Sequence, residues 1–231
     1  MVTTEVTTEL IEAIHRQLQA AADPSRAEGA QAYMKSQMPS LGVRVPEVRR
    51  IVKSAAAAHP PGSLAELQST VLALWRTAAC REERYAAIDL TGLKLAAAEL
   101  SMLAVYEEII RTGAWWDLVD GVANRLGALL QAHRAELTPV LGRWSTDEDF
   151  WVRRAAITAQ LGAKSATDTA LLAAVIEANL NDREFFIRKA IGWALRQYAR
   201  TDPDWVRAFV QQHWTDLSPL SRTEALRNLA A

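Results

Sequence analysis

Apolar positions recur every three to four residues along most of the chain, with polar and charged positions between them. This spacing is typical of amphipathic helices. Alternation with a period of two is hard to find over five or more residues, so we predict no strands. The periodic segments are rich in Ala, Leu, Arg and Glu, which favour helix. The pattern predicts an all-α chain of short antiparallel helices joined by short loops.

Turn-forming residues lie between these periodic segments. Asp-Pro pairs at 23–24 and 202–203 predict helix starts, because Pro is tolerated in the first turn of a helix. Gly113 and Gly142 are expected to follow helix ends. The predicted helices cover residues 8–22, 26–37, 45–58, 64–77, 81–91, 97–112, 115–133, 136–141, 149–161, 167–179, 183–198, 203–213 and 218–229.

A faint internal repeat organises the second half of the chain. Aromatic residues Trp116, Trp151 and Phe186 each begin a similar segment and stand about 35 residues apart. A period of this length, holding two helices, indicates a helical solenoid of the HEAT type. We predict a single domain over residues 1–231, a right-handed solenoid of about six helical hairpins with a concave groove. Trp151 and Phe186 are interpreted as packing between repeats.

The register of the repeat brings four chemically distinctive residues onto equivalent faces. Counted from the leading aromatic, Asp120 falls at +4, Arg154 at +3 and Trp193 at +7, and these positions share a helix face with position zero, Trp116. Equivalent faces of a solenoid line one surface. The register therefore predicts two indoles, a carboxylate and a guanidinium in one groove. Each residue alone has a simpler interpretation, either as a core indole or as a solvated charge.

Composition narrows the functional classes. The chain has 231 residues, 50% hydrophobic and 23% charged, with a net charge of −1. This composition suits a folded core. The single cysteine, Cys80, excludes a disulfide framework.

No apolar run reaches the ~18 residues of a membrane span, and the polar first residues do not resemble a signal peptide. We expect a cytoplasmic protein. A net charge near zero is compatible with a basic groove if acidic residues on the opposite surface balance it.

Other catalytic constellations find little support. The four histidines are scattered, without the i, i+4 pairing of a metal site. A Gly-x-Ser-x-Gly nucleophile motif is missing, and the segment from Gly162 to Ser165 lacks the glycine pattern of a phosphate loop. We therefore expect neither a metal nor a cofactor.

Several segments together resemble a known family. They comprise residues 32–35 (AYMK), 41–50 (LGVRVPEVRR), 115–120 (WWDLVD), 151–157 (WVRRAAI), 184–193 (EFFIRKAIGW) with 196–199 (RQYA), and 217–225 (LSPLSRTEA). In this order and spacing the chain resembles the AlkD-like DNA alkylation repair glycosylases, bacterial proteins built of HEAT-like repeats.

The resemblance implies an activity and a set of site residues. The family excises N3- and N7-alkylated purines from double-stranded DNA, without burying the lesion in a pocket. By position, Asp120 resembles the catalytic carboxylate, and Trp116 and Trp193 resemble the aromatic walls beside the lesion. Tyr33 resembles a further aromatic residue of the cleft, and Arg154 the arginine that contacts the DNA backbone. The resemblance also implies a monomer acting in base excision repair or in self-resistance to a DNA-alkylating natural product.

Further cations are candidates for phosphate contacts, which would supply most of the affinity for DNA. A solvated surface position is an equally good interpretation of each one alone. The resemblance implies a basic protein, so the net charge of −1 is a departure. A non-catalytic HEAT-like scaffold remains the alternative, since fold does not determine function. The candidates are Lys35, Arg44, Arg49, Arg50, Arg153, Arg188, Lys189 and Arg222.

Overall fold

A computed structural model describes residues 5–229, which fold entirely into helices and connecting loops. The prediction of an all-α chain is confirmed. Among these residues, no helix is both long enough and apolar enough to cross a membrane. The chain divides into two compact units, one ending at Val105 and the other beginning at Tyr106. The single domain and the solenoid of six hairpins stay predictions.

The first unit contains five α-helices. Helix α1 packs against α3 and α4, and both of these pack against α5. Apolar side chains of α1, α3 and α4, such as Leu10, Ile51 and Trp75, form its core. The helices are α1 (Glu5–Ala20), α2 (Pro24–Met34), α3 (Val45–Ala58), α4 (Leu64–Thr77) and α5 (Arg81–Leu90), followed by 3-10 turns at Lys94–Ala96 and Leu100–Met102. Helix α6 (Leu103–Gly113) begins in this unit.

The second unit repeats one arrangement along the chain. Helices α7, α9 and α11 pack side by side in that order, while α8 and α10 pack behind them. A stripe of apolar residues on these helices is buried, from Leu118 and Val122 on α7 to Ile187 and Leu195 on α11. The helices are α7 (Trp116–Ala132), α8 (Arg134–Trp144), α9 (Phe150–Thr158), α10 (Thr169–Glu177), α11 (Phe185–Tyr198), α12 (Pro203–Gln212) and α13 (Pro219–Leu226), with a 3-10 turn at Lys164–Ala166.

Two helix predictions need correction. The predicted helix over 97–112 is wrong at its start, because Ala98 takes a left-handed conformation with φ 55°. A right-handed helix cannot pass through that residue, so α6 begins only at Leu103. The predicted end before Gly142 is also wrong. Helix α8 runs on to Trp144 because Leu137, Leu141 and Trp144 bury one face.

The remaining predictions agree with the structure apart from a few residues at the helix ends. Helix α9 ends at Thr158, three residues before its predicted end. Asp23 and Asp202 cap the helices that begin at the following prolines, and each carboxylate accepts a backbone N–H. These two starts are confirmed, because an Asp cap and a Pro at the first position act together.

Gly42 occupies a position that excludes side chains, and we expect Gly42→Ala to destabilise the first unit. Its φ is +76°, and a Cβ there would lie 2.2 Å from the Asp23 carbonyl oxygen. Left-handed strain and the clash should together reduce the free energy of unfolding by about 2–4 kcal/mol. Thermal unfolding measures this loss. The control is Gly29→Ala, where an added Cβ meets nothing within 4 Å inside helix α2. Equal melting temperatures for the two variants would contradict the prediction.

Candidate active site

The amino-terminal half of α7 positions the first two candidate residues. Trp115 precedes the helix in an extended conformation, and its carbonyl accepts the N–H groups of Leu118 and Val119. Because Leu118 and Val119 are buried, the rotation of the helix is fixed. Trp116 and Asp120, one turn apart and only partly buried, therefore share a face at the rim of the core.

Asp120 and Arg154 form a two-pronged ion pair. The Nε and Nη2 atoms of Arg154 donate to the two carboxylate oxygens of Asp120, each over 2.8 Å. The side chains are 14% and 5% exposed for Asp120 and Arg154, respectively. This paired geometry matches the planar fork of a guanidinium to a carboxylate, which makes it directional and strong.

Arg154 also joins the ion pair to the next helix. Its Nη1 atom donates to the Phe186 carbonyl oxygen over 2.6 Å. Helix α9 therefore links the carboxylate on α7 to the start of α11. Helices α7, α9 and α11 together hold the Asp120 carboxylate in place. The 34 positions that separate Asp120 from Arg154 correspond to about one repeat of the sequence pattern. The register predicted that these two side chains line one surface, but it did not predict that they pair with each other.

Burial and the ion pair act on the Asp120 carboxyl in opposite directions. Burial raises its pKa above the ordinary value, and the Asp117 carboxylate raises it further. The hydrogen bonds and the charge of Arg154 lower the pKa, which nevertheless stays above its ordinary value. The ionised form of Asp120 therefore depends on Arg154, because a buried carboxylate without a partner takes up a proton.

Trp193 lies on α11 at a point of close helix packing. A Cβ on the preceding residue, Gly192, would lie 2.5 Å from the Glu224 Cβ on α13. Only glycine permits this approach, which fixes Trp193 relative to α13. The Trp193 side chain is partly buried and, seven residues after Phe186, shares its helix face. Trp193 and Phe186, whose carbonyl oxygen accepts a hydrogen bond from Arg154, therefore lie on one side of α11.

An aromatic cluster that the sequence analysis did not identify as a unit lies beside the ion pair. Phe186 contacts both Trp115 and Trp151, with ring centroids 5.5 and 4.8 Å apart. Phe150 joins Trp151, and the half-exposed Phe185 continues the cluster outward. Packing between repeats was the interpretation of Trp151 and Phe186, and the structure agrees. The other members of the cluster could have been recognised from the adjacent pairs of aromatic residues at 115–116, 150–151 and 185–186.

Among the described residues, no group of three His, Cys, Asp or Glu side chains is arranged to hold a metal ion. Cys80 is buried, and burial raises the pKa of its thiol to about 12, so it is no nucleophile. The site thus consists of one carboxylate, its guanidinium partner and neighbouring indoles. Such a set can stabilise positive charge and orient a water molecule.

Comparison with known proteins decides the family. The model of the DNA alkylation repair enzyme family matches residues 14–229. The chain belongs to this family. The resemblance inferred from the sequence is confirmed at that level.

Solved structures agree with the assignment to the DNA alkylation repair enzymes. A predicted DNA alkylation repair enzyme from Enterococcus faecalis is 32% identical, with a TM-score of 0.80 over 90% of this chain and 97% of that one. The smu.31 protein of Streptococcus mutans UA159 is 14% identical, with a TM-score of 0.63 over 96% of this chain and 100% of that one. No curated protein matches the chain.

A third structure comes with DNA. It is the Pseudomonas fluorescens alkylpurine DNA glycosylase AlkC, bound to DNA containing an abasic site analog. It is 15% identical, with a TM-score of 0.53 over 97% of this chain and 62% of that one. At this identity the likeness supports the fold of the present DNA alkylation repair enzyme.

The predicted DNA-contacting residues of the first unit lie at the surface. Tyr33 is 75% exposed, and Lys35 and Arg44 are also exposed. Arg49 and Arg50 are exposed as well, but they pair with Asp89 and Glu47, respectively. Lys35 and Arg44 are not part of any ion pair found among the described residues. Of the four predicted cations of this unit, these two are therefore the more available to phosphate.

The predicted cations of the second unit are mostly engaged. Arg153 pairs with Asp182, and Lys189 pairs with Glu224, whose pKa this lysine lowers. Arg222 lies over the Trp214 ring, 4.5 Å from its centroid. The Nε atom of Arg188 is buried without a hydrogen-bond partner among the described residues. Phosphate contacts by these four side chains stay predictions, and those of Arg153, Lys189 and Arg222 would compete with the contacts seen here.

Proposed function

We propose that the protein is a DNA glycosylase that hydrolyses the N-glycosidic bond of cationic N3- or N7-alkylated purines in duplex DNA. The observation that carries the proposal is the Asp120 carboxylate, largely buried, oriented by Arg154 and one helical turn from Trp116. Membership of the DNA alkylation repair enzymes supports the reaction class. The DNA-bound state of the Pseudomonas fluorescens glycosylase supports DNA as the partner.

The proposed chemistry needs few groups because damage has already activated the base. Alkylation at N3 or N7 gives the purine a positive charge, so it leaves without a general acid. As the bond to C1′ lengthens, positive charge moves to the sugar, as in glycoside hydrolysis. The Asp120 carboxylate stabilises that charge and orients the attacking water. An uncharged purine is a poorer leaving group, so the preference for alkylated bases follows from their positive charge.

Arg154 acts mainly as a positioning residue in this proposal. Three of its N–H groups are already used, two by Asp120 and one by the Phe186 carbonyl. At 5% exposure, its side chain has little surface for DNA in the unbound protein. We propose that it keeps Asp120 ionised and aimed. The DNA-backbone contact implied by the family resemblance stays a prediction.

The indoles of Trp116 and Trp193 are proposed to attract the cationic nucleotide. An indole face near a cation contributes about 0.5–2 kcal/mol. Trp116→Ala and Trp193→Ala should therefore each slow release of 7-methylguanine by about 2- to 30-fold. Single-turnover excision on a defined duplex measures this effect. Trp→Phe at each site should retain part of the rate because a smaller aromatic face remains. Wild-type rates for both Ala variants would show that the indoles only pack.

The proposal is tested by a panel of lesions in defined duplexes, comparing small and bulky N3-adenine and N7-guanine adducts. Released base, measured by chromatography, should appear for cationic lesions and not for unmodified purines. Preference for methyl adducts would indicate general base excision repair, and preference for bulky adducts would indicate self-resistance. If excess protein releases no 7-methylguanine or 3-methyladenine, the glycosylase proposal is wrong and a DNA- or protein-binding scaffold takes its place.

A further inference from the structure

A cavity of about 230 Å³ opens at the carboxyl ends of α9 and α11. Ile157, Leu161 and Leu172 give it an apolar floor. Lys164 and Arg200, both exposed, are the two cations among the residues that line it. The cavity lies within the second unit, and none of these residues belongs to the candidate active site.

The cavity continues the helix faces that carry the active site. On α11, Gln197 follows Trp193 by four residues and shares its face, and Arg200 lies two residues beyond the end of the helix. On α9, Ile157 follows Arg154 by three residues and does the same, and Leu161 lies in the turn after the helix. With a rise of 1.5 Å per residue, Gln197 lies about 6 Å along the helix axis from Trp193.

The charges at the rim suit an anionic group. Lys164 and Arg200 take part in no ion pair found among the described residues. Arg200 follows the end of α11, and Lys164 lies in the 3-10 turn after α9. The nearby Asp202 carboxylate caps α12 through the Trp205 N–H, so it faces the positive end of that helix. The two cations at the rim can attract an anionic group such as a phosphodiester.

The polar groups of the cavity differ in their availability. Gln160 is fully used, since its side chain both donates to and accepts from the Asp168 backbone. The Gln197 side chain has no hydrogen-bond partner among the described residues and can donate to an anionic oxygen. The apolar floor suits the carbon skeleton of a sugar. The cavity therefore offers a combination typical of contacts to the sugar–phosphate backbone.

We propose that this cavity holds one phosphate and its deoxyribose from the duplex, within a few nucleotides of the lesion. Gln197, one helical turn from Trp193, joins the cavity to the helix face that carries the active site. This backbone site would set the register of the duplex against Asp120. The inference rests on the proposed function, because it assumes that the lesion lies beside Trp193.

The test combines substitutions in the protein with neutral phosphates in the DNA. Lys164→Gly and Arg200→Gln are made singly and together. Lys164 has φ 52°, which glycine adopts freely, so its loss should not impair folding. Arg143→Gln, which removes an exposed cation from α8 in the same unit, is the matched control. Affinity is measured by fluorescence anisotropy on a duplex containing an abasic-site analogue, so that no catalysis is required.

Two results are expected. The slope of log affinity against log salt concentration should fall by about 0.9 in the double variant, because one phosphate contact is lost, and Arg143→Gln should not change it. A methylphosphonate, which removes one phosphate charge, should weaken wild-type binding at one position within a few nucleotides of the lesion. The same substitution should have no further effect on the Lys164→Gly, Arg200→Gln double variant.

Other outcomes overturn the proposal. An unchanged salt slope in the double variant, or equal sensitivity of wild type and double variant at every methylphosphonate position, would show that no phosphate occupies the cavity. If wild type excises alkylated bases but shows no such coupling, only this inference fails. If coupling is present but no base is released, the proposed function fails and the phosphate site stands. Failure of wild type to bind DNA at all would remove both.

Discussion

Asp120→Asn is expected to lower the single-turnover rate of 7-methylguanine release by about 10²–10³-fold. In the proposed mechanism the Asp120 carboxylate stabilises the positive sugar, and loss of one such electrostatic partner typically has this effect. Binding of the abasic-analogue duplex should change only a few-fold, since Asp120 contributes no attraction to phosphate. Excision rates under enzyme excess, together with anisotropy measurements of affinity, separate these two effects.

Folding must be separated from chemistry in this experiment. The substitution leaves the largely buried Arg154 guanidinium facing a neutral amide, and breaking a buried pair costs about 3–5 kcal/mol of stability. The double variant Asp120→Asn, Arg154→Met removes both charges and should regain part of that stability. Its excision rate should stay as low as that of Asp120→Asn. Recovery of excision together with stability would show that Asp120 is a structural residue only.

Arg154→Met is expected to move the acidic side of the excision pH profile to higher pH. Arg154 lowers the pKa of the Asp120 carboxyl against the opposing effect of burial, so its removal raises that pKa further. Because the ionised carboxylate is the active form, the rate should fall at higher pH than in wild type as the solution is acidified. At neutral pH we expect a loss of about 10²-fold, including the loss of orientation.

The pH profile distinguishes positioning from DNA contact. A residue that only contacts the DNA backbone would weaken binding and its salt dependence while leaving the pH profile of the bound complex unchanged. Arg154→Lys keeps a positive charge but not the two-pronged geometry, and it should restore much of the wild-type profile with a lower maximum. Profiles of identical shape for wild type and Arg154→Met, measured at saturating protein, would refute the positioning role.

The sequence predicted the architecture around the site because the helical period of its apolar residues agrees with the longer repeat of about 35 residues. Buried positions such as Leu118 and Ile187 follow the helical period. Asp120 and Arg154 fall at positions +4 and +3 of neighbouring repeats, which placed their side chains on one surface. The fold class and this shared surface could therefore be inferred without coordinates.

Other features depend on contacts that spacing does not reveal. The register places Arg154 and Asp120 on one surface, but it does not reveal their ion pair. It also does not show that the Arg154 side chain is almost fully covered or that a third hydrogen bond reaches the Phe186 carbonyl. The left-handed Ala98 carries no glycine signal, so the start of α6 was misplaced. Lys164 and Arg200 stand 36 positions apart, and only the packing of α9 on α11 joins them at one cavity.

The central claim is that the Asp120 carboxylate suffices because the departing base is already cationic. The most direct measurement compares 7-methylguanine with 7-deaza-7-methylguanine, its uncharged counterpart of nearly the same shape, at one position of one duplex. Under enzyme excess the cationic base should be released and the neutral one should remain in the DNA. Release of both at similar rates would contradict the account, because a group that protonates the base would then have to be present.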